Sequence, residues 1–492
     1  MRKEDCMAVE ITGILPNMIR EELEGLYGTT VLRDMKEIIS LYEVYERGAA
    51  YTPEGSLDYV PADLRYKMTR SLVDKEVRFL FSKTPEFFVD TVSREAATIY
   101  QRLINTVLRE NGFANTLLKA AKDCMIGKRV ALLFNIHEDT GIQISFLPSL
   151  EFVYDVDPNN ANRLTKMIAF YATNDAKSKL EQRIYKKKYW LEANACWYVE
   201  EVFDGAGRLV ETLTPPTETR FSFIPAWVIV NDGLTGDLVG VSEVAQLQGY
   251  ESWYSRLAAA DMDAERKGMN PIRYTVDASP ESTQGLSISA GAFWDLATDQ
   301  NQAQERAAQV GVLDSPMGYS NALSTTLDRI KNTMYEQCAV PNVSPDALRG
   351  VVSSGKTLKA VYWDLVVRCD EKMVAWRPAL EFLAKCIIEG VRLYPKAGRF
   401  YISEALPDVG YSIRIDNPYS LPEDEQEEKE TDLAEVTAQT MSRKAYMKKW
   451  RNLDDDEAEE ELRQIALERQ ILEDSFTELQ QEALDPLDSA EA

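Results

Sequence analysis

The residues best suited to chemistry lie in "GVVSSGKT", where Gly350, Gly355, Lys356 and Thr357 match the pattern G-x-x-x-x-G-K-[ST] over 350–357. Glycines at that spacing let backbone N–H groups wrap a phosphate, with a lysine to neutralise it and a hydroxyl to hold magnesium. Such a cradle works when a buried strand delivers the loop to a helix N-terminus, whose free N–H groups and dipole grip the anion. The second half is met, since Thr357 opens a helical period. The first half fails, because Ser344-Pro345-Asp346-Ala347-Leu348-Arg349 holds a proline, an aspartate and an arginine where a buried strand should run. No apolar strand ending in a magnesium-binding aspartate follows; "VYWDLVV" (361–367) lies inside the helical pattern. The residues favour a glycine loop capping a helix over a nucleotide site, and a P-loop enzyme using Gly350–Thr357 stays as the alternative.

Other reactive side chains are sparse. The single histidine, His137, falls in a hairpin turn and reads as solvated. Six cysteines (Cys6, Cys124, Cys196, Cys338, Cys369, Cys386) lie far apart with no C-x-x-C pair, which argues against zinc and suits a reducing compartment. Asp454-Asp455-Asp456-Glu457 could attract a divalent cation, but it lacks the glycine-containing calcium-loop spacing and precedes a helix whose dipole favours acids. Lys186, Lys187 and Lys188 read as a solvated strand edge. No Ser/His/Asp or paired-carboxylate arrangement stands out, so no catalytic residue, metal or cofactor is expected. The net charge is -25, and 23 acidic against 8 basic residues from Glu423 onward account for -15 of it. An acidic chain cannot wrap DNA tightly, because that affinity comes from lysine and arginine on phosphates. No run of about 18 apolar residues marks a membrane span, and no signal-peptide pattern opens the chain.

The elements that must carry these residues follow from hydrophobic period. Residues 17 to about 126 read as helices, with Leu72, Val73, Val77, Leu80 and Phe81 as a typical apolar face. From Lys128 the period shortens into β-rich runs divided by the turns Glu138-Asp139-Thr140-Gly141 and Asp157-Pro158-Asn159-Asn160, which predicts an antiparallel meander. Ser242, Val244, Leu247, Tyr254, Leu257 and Gly268 outline one uninterrupted helix over 242–268, roughly 38 Å long. The faces that Asp261 and Asp263 occupy on it stay open. About 45 residues with strand-like "PIRYTVDA" and "SISAGAFWDLA" lead to a second helix, whose Leu323, Leu327, Ile330, Met334 and Cys338 make a narrow stripe ended by Pro341. A loop then gives way to a helical pattern from Lys356 to Val391, interrupted by Pro378. An acidic helical tail opens on a capping box of Ser420 and Glu423. The fold class is α+β, mainly helical.

In this order, "SLVDKEVRFLFSKTPEF", "LPSLEFVYDVDPNNANRLTKMIAFYAT", two long helices around a small tip, "SSGKTLKAVYWDL" and "RIDNPYSLPEDE" resemble the portal proteins of tailed bacteriophages over nearly the whole chain. The resemblance implies a homo-oligomeric ring, usually of twelve subunits, at one capsid vertex of the virion, assembled in the host cytoplasm. Double-stranded DNA would pass through it without sequence preference, driven in by terminase and later released into the tail. Partners would be the terminase large subunit, a head-tail adaptor, and major capsid and scaffolding proteins, with no membrane. By position, 1–240 would be the first part of a wing, 241–268 and 315–340 the stem helices, and 269–314 the clip. Residues 341–356 would be a tunnel loop, 357–420 the wing's long kinked helix and return strand, and 421–492 the crown. The loop residues facing DNA would be Arg349, Gly350, Val351, Val352, Ser353, Ser354 and Lys356, with Arg349 and Lys356 as its cations. Arg273, Trp294 and Asp295 would meet the clip's partner. A different helical virion assembly protein is the remaining alternative.

Overall fold

A computed structural model describes residues 28–49, 61–172, 183–193, 195–234, 236–269, 272–284, 286, 294–299, 307–313, 318–343, 359–419, 425–451, 453 and 457–470. Two compact units emerge, one of residues 1–342 with 363–420, the other of 343–362 with 421–492.

In the first unit, helices α1 (Gly28–Arg47) and α2 (Met68–Leu80) bury the faces their period predicts, including Leu72, Val73, Val77 and Leu80. The segment between the second and third predicted helical stretches is not helical. Glu86–Thr91 is a strand, β1, with Phe87 and Val89 buried in period two. Its partner is β12 (Tyr411–Asp416), antiparallel from Glu86↔Asp416 to Thr91↔Tyr411. The partner lies so far along the chain that local pattern could not reveal the pairing. α3 (Arg94–Glu110) starts on Ser93, whose Oγ accepts the Ala96 N–H at 3.4 Å, the side-chain cap that satisfies a free helix donor. Gly112, at φ 57°, separates it from α4 (Phe113–Gly127).

The β region forms two sheets. β2 (Arg129–His137) lies between β3 (Gly141–Pro148) and β9 (Ala226–Val230), and its buried "VALLF" run reflects cover on both faces. The other is the expected meander, β4 (Phe152–Asp157), β5 (Asn160–Ala172), β6 (Arg183–Glu192), β7 (Ala195–Asp204) and β8 (Leu209–Glu218) in sequential order. The lysines of β6 are not a solvated edge. β6 pairs on both sides, Lys186 is 3% exposed, and its ammonium lies 3.2 Å from Glu201, its directly opposed neighbour. Lys187 pairs Glu200 at 3.5 Å, while Lys188 lies 5.3 Å from the Trp190 ring centre. Cross-strand acids and rings make these stems worth burying, and neither is visible along β6 alone.

The predicted long helix is α5 (Glu243–Met269), capped by Ser242 through the Ala245 N–H at 3.3 Å. Its acids are anchors. Glu251 accepts the Ala49 and Thr69 N–H groups at 2.9 and 2.7 Å, and Asp263 accepts that of Ala62 at 3.1 Å while pairing with Arg266 at 3.0 Å. Asp263 is therefore turned inward. Beyond α5, β10 (Ile272–Val276) pairs antiparallel with β11 (Gln309–Leu313); of "SISAGAFWDLA" only 294–297 are described. Gly311 explains the pairing: the Tyr274 ring covers it so closely that a Cβ there would lie 2.2 Å from the ring. A short turn of helix, α6 (Pro280–Thr283), follows β10. The return helix α7 (Ser320–Gln337) packs on α5 and ends before Pro341; Met334 and Cys338 of its stripe are buried, and Leu323, Leu327 and Ile330 half-buried. Residues 359–361 are helical and Tyr362 is in a turn, so the last long helix, α8 (Trp363–Leu393), starts seven residues after Lys356. Pro378 lies within it, and Cys369, Met373, Trp376, Leu380, Leu383 and Ile387 form its core face. A single turn, α9 (Pro395–Gly398), closes this unit with β12.

In the second unit α10 (Glu425–Thr437) meets α11 (Arg443–Arg451), where Asp432 accepts from Lys449 at 2.7 Å and from Trp450 Nε1 at 2.8 Å. These donors hold the Asp432 carboxyl below its usual range. Residues 457–470 form a further helix, α12, tied to α11 by Lys444–Glu459 and Arg451–Glu461, each 2.7 Å. The described parts of the tail are largely helical, as its pattern predicts; Ser420, Glu423 and Asp454–Asp456 lie outside the described residues.

Candidate functional site

The glycine loop is bounded by two described helix ends. Arg349, Gly350, Val351, Val352, Ser353, Ser354, Gly355, Lys356 and Thr357 themselves lie outside the described residues. Within the first unit lies a buried charge cluster that sequence reasoning missed. Glu76 comes from α2, Glu243 from the first turn of α5, and Arg368 and Lys372 from successive turns of α8. Arg368 reaches Glu76 at 2.8 Å and Glu243 at 2.5 Å, and Lys372 reaches Glu243 at 2.6 Å and Glu76 at 3.6 Å. Asn231 accepts from Lys372 at 3.0 Å and donates to Glu243 at 3.3 Å. Arg368 also donates to the carbonyl of Gln337, the last residue of α7, at 3.3 Å. One cluster thus binds the start of α5, the end of α7 and the first half of α8.

Two acids and two bases leave the cluster neutral in formal charge, which is how ions survive burial. Burial lifts the Glu76 carboxyl above its usual range, and the neighbouring Glu243 adds to that. Burial alone would lift Glu243 too, but Lys372 and Arg368 beside it hold it below the usual range. For Lys372, burial opposes the charged form, yet Glu243 and Glu76 outweigh it and its pKa rises. The only sequence signal was the i, i+4 spacing of Arg368 and Lys372 on an otherwise apolar helix face. Each charged side chain of the cluster has at least two ionic partners, so the arrangement reads as a fastening.

At the other end of α5, Arg273 of β10 lies with its guanidinium carbon 5.4 Å from the Trp294 ring centre. Arg273 and Trp294 are thus within cation–π distance, and Asp295 is exposed beside Trp294. Val310 and Val312 of β11 are about half exposed on the Arg273 face, and Tyr274 and Val276 on the opposite face. A two-stranded ribbon open on both faces is marginal alone and suited to docking.

His137 is the exposed last residue of β2, opposite Gly141 at the hairpin turn, as its sequence context predicts. Cys124, Cys196, Cys338, Cys369 and Cys386 are buried free thiols. Burial pushes Cys124 up to about 12 and Cys196 to about 11, so neither is poised as a nucleophile. Among the described residues no group of three or more His, Cys, Asp or Glu could hold a metal, and no helix is long and apolar enough to cross a membrane.

Similarity to known proteins bears on what such a frame carries. Two solved structures resemble the chain at low identity, and neither likeness is strong enough to support an argument. One, titled "Virion of native gene transfer agent (GTA) particle", is 8% identical with a TM-score of 0.37, covering 82% of this chain and 89% of that one. The other, "Neck of empty GTA particle computed with C6 symmetry", is 11% identical with a TM-score of 0.41, covering 80% and 92%. No curated protein sequence matches. The profile of the family described as "Phage portal protein, SPP1 Gp6-like" matches residues 29–472, which takes in both sheets, the three long helices and the glycine loop. Over that span the chain belongs to the SPP1 Gp6-like family of phage portal proteins.

Proposed function

We propose that the chain forms a ring at one vertex of a phage capsid and that double-stranded DNA passes through its centre during packaging and ejection. The observation that supports this reading is the family match over residues 29–472. In this reading α5 and α7 are the stem, residues 269–314 the clip, 341–356 the tunnel loop and the tail after 421 the crown. The remainder is the wing. Arg349 and Lys356 bracket the loop and become two circles of like charge in the ring, giving weak contact with phosphates in any sequence. Val351, Val352, Ser353 and Ser354 leave the surface between them smooth, and Gly350 and Gly355 let it shift. A net charge of -25 keeps the rest of the chain from gripping its cargo. Arg273, Trp294 and Asp295 offer a partner an aromatic face with a charge of each sign, suited to the terminase large subunit and then the head-tail adaptor. Capsid and scaffolding proteins would surround the ring. The protein does no catalysis of its own, and twelve subunits is the expected number.

End-on negative-stain images of the purified protein should show rings with a central hole. Lys356→Ala and Arg349→Ala should keep those rings while changing DNA packaging or retention. Strictly monomeric protein at assembly concentrations would sink the reading, and so would ATP hydrolysis that Lys356→Ala abolishes.

A further inference from the structure

Two surface features of the first unit remain without a use. The first is a groove. Two open concavities of about 820 and 550 Å³ share Phe88, Gln101, Asn105 and Arg109, so they form one band along α3 and β1. Its apolar floor includes Phe87, Leu108 and Phe113. Arg94, Arg102 and Arg109 lie along one face of α3, seven or eight residues apart, and Arg414 joins them from β12. Arg102 is paired with Glu404 at 2.7 Å, and Arg414 stacks on Phe88 at 4.8 Å. Arg94 and Arg109 are exposed and have no ion-pair partner among the described residues, so both are available to an acidic partner that covers the groove.

The second feature is a stripe on α8. Trp363, Val367 and Val374 are 62%, 40% and 74% exposed on one face of a helix whose opposite face is core. Their spacing of four and seven is that of anchors on a helix laid into a groove. Asp364 and Glu371 flank them, and neither has a cation partner among the described residues. The stripe is thus apolar with Asp364 and Glu371 beside it and Arg377 one turn after Val374, and the groove is apolar with four arginines against the two acids Glu86 and Asp90. A head-to-tail ring needs two different, complementary patches on each chain, one for the neighbour on either side, and patches of opposite sign meet that need.

We propose that the acidic apolar stripe of α8 in one copy seats in the arginine-lined groove of α3 and β1 in the next copy. This rests on the ring reading above. Arg109 would face the carboxylates, and Val374 and Trp363 would cover Phe88 and the floor.

The test is charge reversal read by native mass spectrometry and negative stain, with circular dichroism melting as the control for folding. Glu371→Arg alone and Arg109→Glu alone should each weaken ring formation at least tenfold without moving the melt, and Val374→Glu should do the same. Glu371→Arg combined with Arg109→Glu should restore rings. Single variants that assemble like the wild type, or a double variant no better than either single, overturn this interface while leaving the ring reading standing. A wild-type chain that forms no ring overturns both. Intact rings of Arg109→Glu that have lost affinity for a short DNA duplex would assign the groove to nucleic acid instead.

Discussion

Lys372 and Glu151 show how burial sets the work of single residues. Lys372 is 9% exposed and shares its ammonium between Glu243 and Asn231. Lys372→Met would leave Glu76 and Glu243 with Arg368 alone, and removing one partner of a buried ion cluster costs about 3–5 kcal/mol. Urea denaturation should show that loss. Adding Glu243→Gln to it should cost less than the sum of the two single changes, as coupled neighbours do. At Glu151, burial and then the nearby Asp123 push the carboxyl up to about 7. The folded state therefore keeps a proton that the unfolded chain releases near 4.5, so the contribution of Glu151 to stability is full below about 4.5 and is lost as pH rises to about 7. Glu151→Gln should flatten that fall, worth on the order of 3 kcal/mol; an unchanged slope of unfolding free energy against pH would refute the assignment. Residue-scale partners of this kind were the least legible part of the sequence. Nothing near Lys186 along the chain announces Glu201, and nothing near Asp263 announces Ala62.

At the scale of elements, the pattern spoke clearly wherever an element satisfies itself. α5, the five-stranded meander and the tail helices carry their own period, caps and turns, and they lie where those signals put them. β1 and β11 were not legible, because each exists only by pairing with a strand remote in sequence or hidden between turns. The start of α5 is fixed by one glycine. Gly240 adopts φ +80°, and a Cβ there would lie 2.5 Å from the Lys128 carbonyl oxygen and 2.9 Å from that of Asn231. Gly240→Ala combines a left-handed backbone with a clash against main chain that cannot rotate away. It should destabilise by more than about 2 kcal/mol, read as a lower melting temperature. Gly249, with open space around its Cβ position, is the matched control, and Gly249→Ala should be neutral or stabilising.

For the whole molecule, the order of parts carried the functional reading, while the contacts that would join copies carried none of it. The glycine loop shows the limit: its composition is legible as a helix-capping segment with two cations, but which surface the cations meet depends on neighbours a single chain does not contain. Global unfolding has an internal clock in the buried thiols of Cys124, Cys196, Cys338, Cys369 and Cys386. A thiol reagent should leave these five unmodified in native protein and take them up together, in step with loss of circular dichroism. Early reaction of Cys338 or Cys369 would show that the charge cluster beside them opens first. The bond from Arg368 to the Gln337 carbonyl has a consequence of another kind. It closes the exit of α7 against the entry of α8 independently of the chain between them, and the entropy of closing such a segment grows only with the logarithm of its length. Related chains can therefore lengthen, shorten or rewrite residues 344–358 at little cost to folding, which makes this junction a natural graft point where length and charge can diverge while the flanking helices are inherited unchanged.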